Sequence, residues 1–477
     1  MTAPRRTRRE LLKSAGLGAL ALTAPRRLRG AAQTARPPNV VFIMVDDMGY
    51  HDVGCYGSKT IRTPNLDRMA AEGVRFTDAY SGATVCAPAR SCLMTGYHMG
   101  HTSVRGNSGG IPLRDEDVTV AEVLQKVGYA TGGFGKWGLG EVGTAGVAEK
   151  QGFDEFFGYY HQVHAHSYYT PYLWRNSRRV PLPGNENKQR KQYTHHVIFE
   201  QNLKFIRAHK DRPFFCYCPW TPPHAKYEFP EDDPAWAIYK DKPWKTDAKV
   251  AAAMDTMCDR HVGEILSLLK ELGLDERTIV FFCSDNGAAK RFEGVHNSCG
   301  KMKGFKRSMN EGGIRVPMIV RWPGRIKAGA VSDLAWYFPD VMPTLAELAG
   351  ATKHVPKDID GMSIVPELIG EKAAGRTQQP HEYLFWQHGN ARAARMGKWK
   401  AIRGGAPRRK KGAKGKQPKA ARPTLRLYDL SEDIGEANDL AAQHADVAAK
   451  MAKILDEAYT EPRAQREPPR AGGKRHR

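Results

Sequence analysis

Four short apolar runs dominate the hydrophobic pattern of the chain, and each of them ends in polar residues. The runs are NVVFIMV (39–45), YATGGFG (129–135), PFFCYCPW (213–220) and TIVFFCS (278–284). Continuous apolar runs of this length predict strands that are buried on both faces. Segments with helical periodicity lie between them, at 65–74, 119–128 and 259–273. Strands that alternate with helices predict an α/β fold, with a large, mainly parallel sheet sandwiched by helices.

Polar side chains follow all four predicted strands, either directly or, for His224 in TPPHAK, four residues after the strand. In chain order these residues are Asp46, Asp47, Lys136, His224, Asp285 and Asn286. The carboxyl ends of parallel strands meet at one edge of a sheet, and ligands of open α/β sheets bind in the crevice beyond that edge. The sequence therefore predicts a functional site formed by these side chains.

The residue types at this edge favour a divalent cation and an oxyanion. Clustered carboxylates repel one another and raise each other's pKa unless a cation lies among them. Oxygen ligands suit Ca²⁺ or Mg²⁺ better than zinc. Lys136, His224, Arg90 and a further lysine are the cationic or proton-carrying groups that surround a tetrahedral anion such as sulfate or phosphate. This combination indicates hydrolysis of a sulfate or phosphate ester.

The charge of the chain is concentrated in three segments. The chain has 477 residues and a formal net charge of +22, which would be typical of a nucleic-acid-binding protein if the charge lay on a folded face. All but +2 of it lies in residues 1–38, 404–423 and 461–477. Their basic, weakly apolar composition predicts flexible segments around a nearly neutral folded core. We therefore expect no specific nucleic-acid partner.

The N-terminal segment has the pattern of an export signal. TRRELLK is followed by the short, weakly apolar stretch SAGLGALALTA. A twin arginine before such a stretch predicts a Tat-type signal peptide over residues 1–36 and the Tat translocase as a partner. The apolar part is too short for a stable membrane span. We expect an exported protein, periplasmic or extracellular, with cleavage between Ala24 and Pro38.

The stretch VCAPARSCLMTG (85–96) places Cys86 just ahead of a proline and an arginine, where a helix is predicted to start. A thiolate at a helix start would be activated. It would nevertheless be a poor ligand for a hard cation. The stretch makes better chemical sense if Cys86 is not a cysteine in the working protein.

CAPARSCLMTG resembles the C-x-P-x-R-x(3)-[LM]-T-G signature of the type I sulfatases, which belong to the alkaline phosphatase superfamily. Other segments resemble the family in the same order: FGKWGLG (134–140), TPPHAK, FFCSDNG and FKRSMNEGGIRVPMIVRWPG (305–324). The resemblance implies a catalytic domain over 37–375 and a C-terminal subdomain over 376–461, with an antiparallel sheet and a helix. The basic stretch 404–423 would be an insert, and 462–477 a disordered basic tail.

The resemblance also implies a modified nucleophile. In the family the signature cysteine is oxidised to Cα-formylglycine, so Cys86 would require a formylglycine-generating enzyme or an anaerobic maturase as a partner. The hydrated aldehyde would attack sulfur, with S–O cleavage. One calcium ion would be held by residue 86 together with Asp46, Asp47, Asp285 and Asn286.

The remaining roles implied by the resemblance fall on five side chains. Arg90 would steady the formylglycine, while Lys136 and His224 would contact the sulfate. Lys306 stands five residues before Glu311, at the place of the leaving-group lysine. Asp285 would take a proton from residue 86, and either His224 or Lys306 would protonate the leaving alcohol.

One position departs from the family pattern. Many members have a histidine two residues after the motif lysine, where this chain has Gly138. The segment YYHQVHAHSYYTPYLWRN (159–176) is where we expect a substitute. His164 and His166 are spaced to point the same way in an extended segment, and we hypothesise that one of them reaches the sulfate or the sugar.

Two other functions remain open at this point. The first is a phosphatase or phosphodiesterase of the same fold, and the second is a catalytically inactive protein that binds sulfated glycans. For a sulfatase we expect a sulfated carbohydrate as the substrate, by analogy with exported bacterial-type sulfatases.

Overall fold

The computed structural model describes residues 36–109, 111–292, 294–404 and 424–462. The predicted signal peptide, basic insert and basic tail therefore lie almost entirely outside the described residues, and their boundaries stay predictions. Within the described residues, no helix is both long enough and apolar enough to cross a membrane.

In the part of the chain that the structure describes, the strands form one large sheet and two small ones. The strands of the large sheet and the two-stranded sheet are β1 (Asn39–Val45), β2 (Val74–Phe76), β3 (Ala79–Tyr80), β4 (Ala130–Lys136), β5 (Glu155–Tyr159), β6 (Tyr172–Arg175), β7 (Arg178–Pro181), β8 (Phe214–Pro219), β9 (Thr278–Ser284), β10 (Met318–Arg321), β11 (Ala330–Ser332) and β12 (Trp336–Tyr337). In the large sheet the order is β11-β2-β10-β9-β1-β8-β4-β5-β6-β7, and β3 pairs with β12. The pairs β9–β1, β1–β8, β8–β4 and β4–β5 are parallel, so the predicted fold class is confirmed.

Helices cover both faces of this sheet. They are α1 (Pro64–Ala71), α2 (Cys86–Thr95), α3 (Val120–Gln125), α4 (Thr194–Ala208), α5 (Pro234–Tyr239), α6 (Thr246–Glu271), α7 (Glu311–Ile314), α8 (Val341–Leu348), α9 (Val365–Ile369), α10 (Glu371–Ala374) and α11 (Ala445–Glu457). Strand β1 shows why two helical layers are needed. Its alternate residues Val40, Phe42 and Met44 enter one hydrophobic cluster, whereas Val41, Ile43 and Val45 enter the other. Both faces of the strand are thus removed from water.

The four predicted strands are neighbours in the centre of the sheet. Their order is β9-β1-β8-β4, and all three junctions are parallel. Their bounds agree with the apolar runs to within one residue at each end. Because the strands run in the same direction, the polar residues that follow them meet at one edge.

The C-terminal part forms a four-stranded antiparallel sheet with one helix, as the resemblance implied. Its strands are β13 (Leu384–His388), β14 (Ala391–Met396), β15 (Trp399–Arg403) and β16 (Leu425–Asp429). Helix α11 packs beside it, and the Trp386 indole donates to the carbonyl of Ser81 at 2.8 Å. This buried contact ties the small sheet to the segment just before Cys86.

Three local predictions were wrong. The helix predicted at 259–273 begins at Thr246, because alanines, methionines and a cysteine continue its buried face toward the N-terminus. The helix predicted at 119–128 ends at Gln125, ahead of Gly128, whose φ is +87°. The segment around His164 and His166 is a turn of 3-10 helix rather than extended chain, so the two side chains do not point the same way.

Candidate active site

The carboxylates that follow β1 and β9 lie together at the edge of the sheet. Asp285 is fully buried, and its Oδ1 accepts the backbone N–H of Asp47 at 3.3 Å. The Asn286 amide donates to Asp47 Oδ1 at 2.7 Å, whereas its own Oδ1 is buried and has no hydrogen-bond partner among the described residues. Asp47 has a φ of +72°, an uncommon conformation that turns its side chain into this cluster.

Cys86 is the first residue of α2 and faces this cluster. Its thiol donates to Asp46 Oδ1 at 3.1 Å, and the Lys306 ammonium donates to its sulfur at 3.2 Å. Only 1% of Cys86 is exposed. Burial, and then the charges of Asp285 and Asp46, raise the pKa of the Cys86 thiol, so an unmodified thiol here stays protonated.

Arg90 lies one turn after Cys86 on α2 and is completely buried. Its Nη2 is 2.8 Å from Asp285 Oδ2 and 3.3 Å from Asp46 Oδ2. Its Nη1 donates to the backbone carbonyl of Lys136. The guanidinium therefore fixes two carboxylates and the end of β4 relative to the helix that carries Cys86.

Two lysines complete the charged centre. Lys136 ends β4 with its ammonium on Asp46 Oδ2, and Lys306 places its ammonium on Asp47 Oδ1 and 3.9 Å from Asp46 Oδ1. Burial acts to raise the pKa of Asp46, but Lys136 and the neighbouring cations hold it well below its usual value. Burial, reinforced by the charge of Asp46, instead raises the pKa of Asp285 to about 6. The two carboxyls are therefore electrostatically different.

His224 lies between the charged centre and an open cleft. Its Nε2 is 3.5 Å from Asp47 Oδ2, and its ring stacks on that of His166 with centroids 4.3 Å apart. Val163, His166, His224 and Lys226 are among the residues that line the cleft, whose volume is about 560 Å³. The arrangement suits an anionic group at the buried end and a larger polar body in the cleft.

The cluster also provides ligands for a cation. Ligand atoms of Asp46, Asp47, Cys86 and His224 lie within 4.8 Å of one another. The sequence had placed Asp285 and Asn286 in the ligand set instead of His224. Both border this group through Asp47, and the free Oδ1 of Asn286 is a buried lone-pair donor that an oxygen-preferring cation would satisfy.

The two loop histidines have different surroundings. His166 contacts His224 at the cleft. The ring of His164 packs instead against Tyr159 and Tyr172, with centroid distances of 5.1 and 4.7 Å. The structure thus brings one of the two predicted substrate contacts to the site.

Comparisons with known proteins identify the family. A family model described as Sulfatase matches residues 38–351, and one described as N-sulphoglucosamine sulphohydrolase, C-terminal, matches residues 303–461. The chain belongs to the sulfatase family. Human arylsulfatase A is 33% identical over 475 residues, with 90% of this chain and 88% of that protein covered. N-acetylgalactosamine-6-sulfatase of Canis lupus familiaris is 32% identical over 409 residues, with 78% and 73% covered.

Solved structures agree with this assignment. The crystal structure of Ps i-CgsB in complex with k-i-k-neocarrahexaose matches with a TM-score of 0.73 and 26% identity, covering 90% of this chain and 94% of that chain. The protein is thus a type I sulfatase of the alkaline phosphatase superfamily and a sulfuric ester hydrolase.

Sequence reasoning missed two features of this sulfatase site. One is the proximity of the His224 imidazole to the carboxylates. The TPPHAK motif had indicated His224 only as a contact of the sulfate. The other is Gln162, whose buried amide packs over Gly138. No pattern in the sequence pointed to Gln162, because its significance depends on a contact between two loops.

Proposed function

We propose that this sulfatase hydrolyses sulfate esters of carbohydrates, with a formylglycine made from Cys86 and one bound calcium ion. The observation that carries the proposal is the position of Cys86. At the start of a helix, its Sγ is 3.1 Å from an Asp46 carboxylate oxygen and 3.2 Å from the Lys306 ammonium. A nucleophile at this point would meet both the cation ligands and the anion-binding lysines.

The donor set fits calcium when residue 86 carries oxygen. Asp46, Asp47, Asp285, Asn286 and residue 86 would then supply only oxygen ligands, which calcium prefers. The unpartnered Oδ1 of Asn286 supports this fit. The ion would supply positive charge against the sulfate oxygens. If residue 86 stayed a thiol, the sulfur and the His224 imidazole would favour zinc instead.

The conversion of Cys86 to a hydrated aldehyde would supply an oxygen nucleophile and a covalent route for sulfate transfer. Around it, Arg90 holds Asp285 Oδ2 at 2.8 Å and so fixes the carboxylate that is proposed to accept the proton of residue 86. Lys136 and Lys306 bind the sulfate oxygens. Because the site holds the anion and the nucleophile together, the reaction avoids the entropic cost of an encounter between free reactants.

The leaving alcohol departs toward the cleft, where His224 is the better-placed proton donor. His224 lines the cleft, whereas the ammonium of Lys306 points at Asp47 and Cys86. The ring of His166, stacked on that of His224, restricts the orientation of the imidazole. We therefore assign proton donation to His224 and a positioning role to His166.

A sulfated sugar is the proposed substrate class. The cleft provides about 560 Å³ beyond His224, with the Lys226 ammonium available for a second anionic group. The names of similar proteins refer to an N-acetylgalactosamine sulfate and to a bound neocarrahexaose. Glycosaminoglycan-type or related sulfated oligosaccharides fit this chemistry.

Sulfate release from defined substrates tests the proposal. Protein made in a host with formylglycine-generating activity is assayed on sulfated oligosaccharides, an aryl sulfate and an aryl phosphate. Cys86→Ala should abolish release, whereas Cys92→Ala should retain it, because it removes a buried thiol on the same helix that donates to the carbonyl of Gly82 and not to a group of the charged centre. Preferential release of phosphate would favour the phosphatase alternative. Binding of sulfated glycans without turnover would favour an inactive binding protein.

We also propose export through the Tat translocase, based on the twin arginine Arg8-Arg9. Replacing both residues by lysine should retain the protein in the cytoplasm of a Tat-competent host. Cell fractionation measures this, and unchanged export would contradict the proposal.

A further inference from the structure

Gly138 lies close in the chain to Lys136, the proposed sulfate-binding lysine, and has no side chain. It lies two residues after Lys136, and its backbone N–H donates to the carbonyl of Tyr160 at 3.0 Å. The segments that follow β4 and β5 are therefore in contact here. Gly138 has a φ of +76°, which favours glycine. No side chain of its own extends from this position into the site.

The side chain of Gln162 occupies the space next to Gly138. A Cβ atom built on Gly138 would lie 2.5 Å from Gln162 Nε2 and 3.1 Å from its amide carbon. The Gln162 amide therefore fills the space that the first side-chain atom of a larger residue at position 138 would need. Gln162 comes 24 positions after Gly138 in the chain, and the pairing of β4 with β5 brings the two residues together.

The amide of Gln162 is buried and has no protein partner. Only 2% of the residue is exposed, and neither Nε2 nor Oε1 has a hydrogen-bond partner in the described residues. Burying an amide without hydrogen bonds costs folding free energy, so buried amides normally have hydrogen-bond partners. A bound ligand that forms a hydrogen bond with the Gln162 amide would remove that cost.

The location of Gln162 indicates which kind of ligand its amide would bind. On one side its amide faces Gly138, next to the segment whose Lys136 ammonium contacts Asp46. On the other side, the next residue, Val163, lines the cleft together with His224. The amide of Gln162 is thus next to the segment that carries Lys136, and the residue that follows Gln162 in the chain lines the cleft. An amide N–H at this point is a neutral donor suited to an anion oxygen.

We propose that Gln162 binds the sulfate group, with Nε2 donating a hydrogen bond to a sulfate oxygen. This inference rests on the proposed sulfatase function. It assigns to an amide the place that His164 and His166 were expected to fill. Since an amide does not titrate near neutral pH, Gln162 can bind the anion but cannot transfer a proton.

The test is the affinity of the full-length protein for inorganic sulfate, measured by calorimetry and as product inhibition. Gln162→Met keeps the length of the side chain and removes both polar atoms. A hydrogen bond to an anion of this kind corresponds to a loss of about 10- to 100-fold in sulfate affinity. The melting temperature should stay equal or rise, because no internal hydrogen bond is lost.

Gln151→Met is the matched control. Gln151 is equally buried, but its Nε2 donates to the carbonyls of Ala145 at 3.0 Å and Arg114 at 3.3 Å. This variant should melt at a lower temperature and bind sulfate as the wild type does. Unchanged sulfate affinity in Gln162→Met would overturn the inference, with or without a loss of stability.

A second measurement does not depend on the folding of Gln162→Met. Gly138→Ala is introduced into the wild type and into Gln162→Ala. Backbone strain at residue 138 is the same in both backgrounds, so the difference between the two losses of melting temperature reports the contact with Gln162. Equal losses would contradict the placement of Gln162. Wild-type protein that neither binds sulfate nor releases it would instead refute the proposed function, and this inference with it.

Discussion

Replacing Lys400 by methionine should destabilise the protein although Lys400 is far along the chain from the nucleophile. Lys400 lies on β15 and is completely buried, with its ammonium 2.7 Å from Glu311 Oε1 and 2.9 Å from Glu436 Oε1. Glu311 begins α7, five residues after Lys306. The three side chains thus join the small sheet to the segment that carries a proposed catalytic lysine.

The expected loss is about 3 kcal/mol of unfolding free energy. Breaking a buried ion pair by removing one partner typically costs about 3–5 kcal/mol, because the other charge is left uncompensated. The lower value applies here. Glu311 keeps Arg315 at 2.6 Å and the Tyr80 hydroxyl at 2.8 Å, and burial already raises the pKa of Glu436, which makes its protonation easier. For a folded unit of about 400 residues this corresponds to a fall of roughly 4 °C in Tm.

Thermal unfolding of the two Lys→Met variants Lys400→Met and Lys398→Met measures the effect. Lys398 is half exposed and pairs with Asp429 at 2.6 Å, so its loss should cost less than about 1 kcal/mol. Adding Glu436→Gln to Lys400→Met should recover part of the stability. The reasoning is refuted if Lys400→Met melts within experimental error of Lys398→Met.

Three further predictions concern the metal, the buried histidines and the loop histidines. Calcium at 100 times its Kd should stabilise the mature protein by about 2.7 kcal/mol, and Asp47→Asn should remove the rise in Tm. Burial lowers the pKa of His195 and His261, which are 3.0 Å apart, so the stability that depends on their neutral forms is present above pH 6.5 and is lost as the pH falls below it. The Tm of the wild-type protein should therefore fall more steeply below pH 6.5 than the Tm of His261→Gln. Parallel curves of Tm against pH for the two proteins would contradict this. His166→Ala should lower turnover about tenfold with little change in KM, whereas His164→Ala should retain it; equal turnover in both would remove His166 from the mechanism.

The central sheet was predictable because its strands are buried on both faces. Such strands appear as unbroken apolar runs, and the run 39–45 coincides with β1. The short strands β6, β7 and β10 were not predicted. They have four residues each, which is too short a pattern to distinguish a strand from a loop or a turn of helix, and β7 is also largely exposed.

The charged centre was predictable from strand ends, but its surroundings were not. Asp46, Asp47 and Asp285 directly follow neighbouring parallel strands, so topology alone brings them together. Gln162 and Lys400 gain their meaning only from contacts across the fold. Likewise, the spacing of His164 and His166 indicates the same face in a strand but different faces in the 3-10 turn that the loop adopts.

The mass of the peptide that contains Cys86 shows whether the proposed formylglycine nucleophile is present. The protein is made in a host with formylglycine-generating activity. The Cys92 thiol, which is expected to stay unmodified, serves as the internal reference for the mass measurement. We expect a mass that corresponds to an aldehyde, or its hydrate, in place of the thiol at residue 86. An intact thiol at Cys86 in protein that still releases sulfate would contradict this expectation.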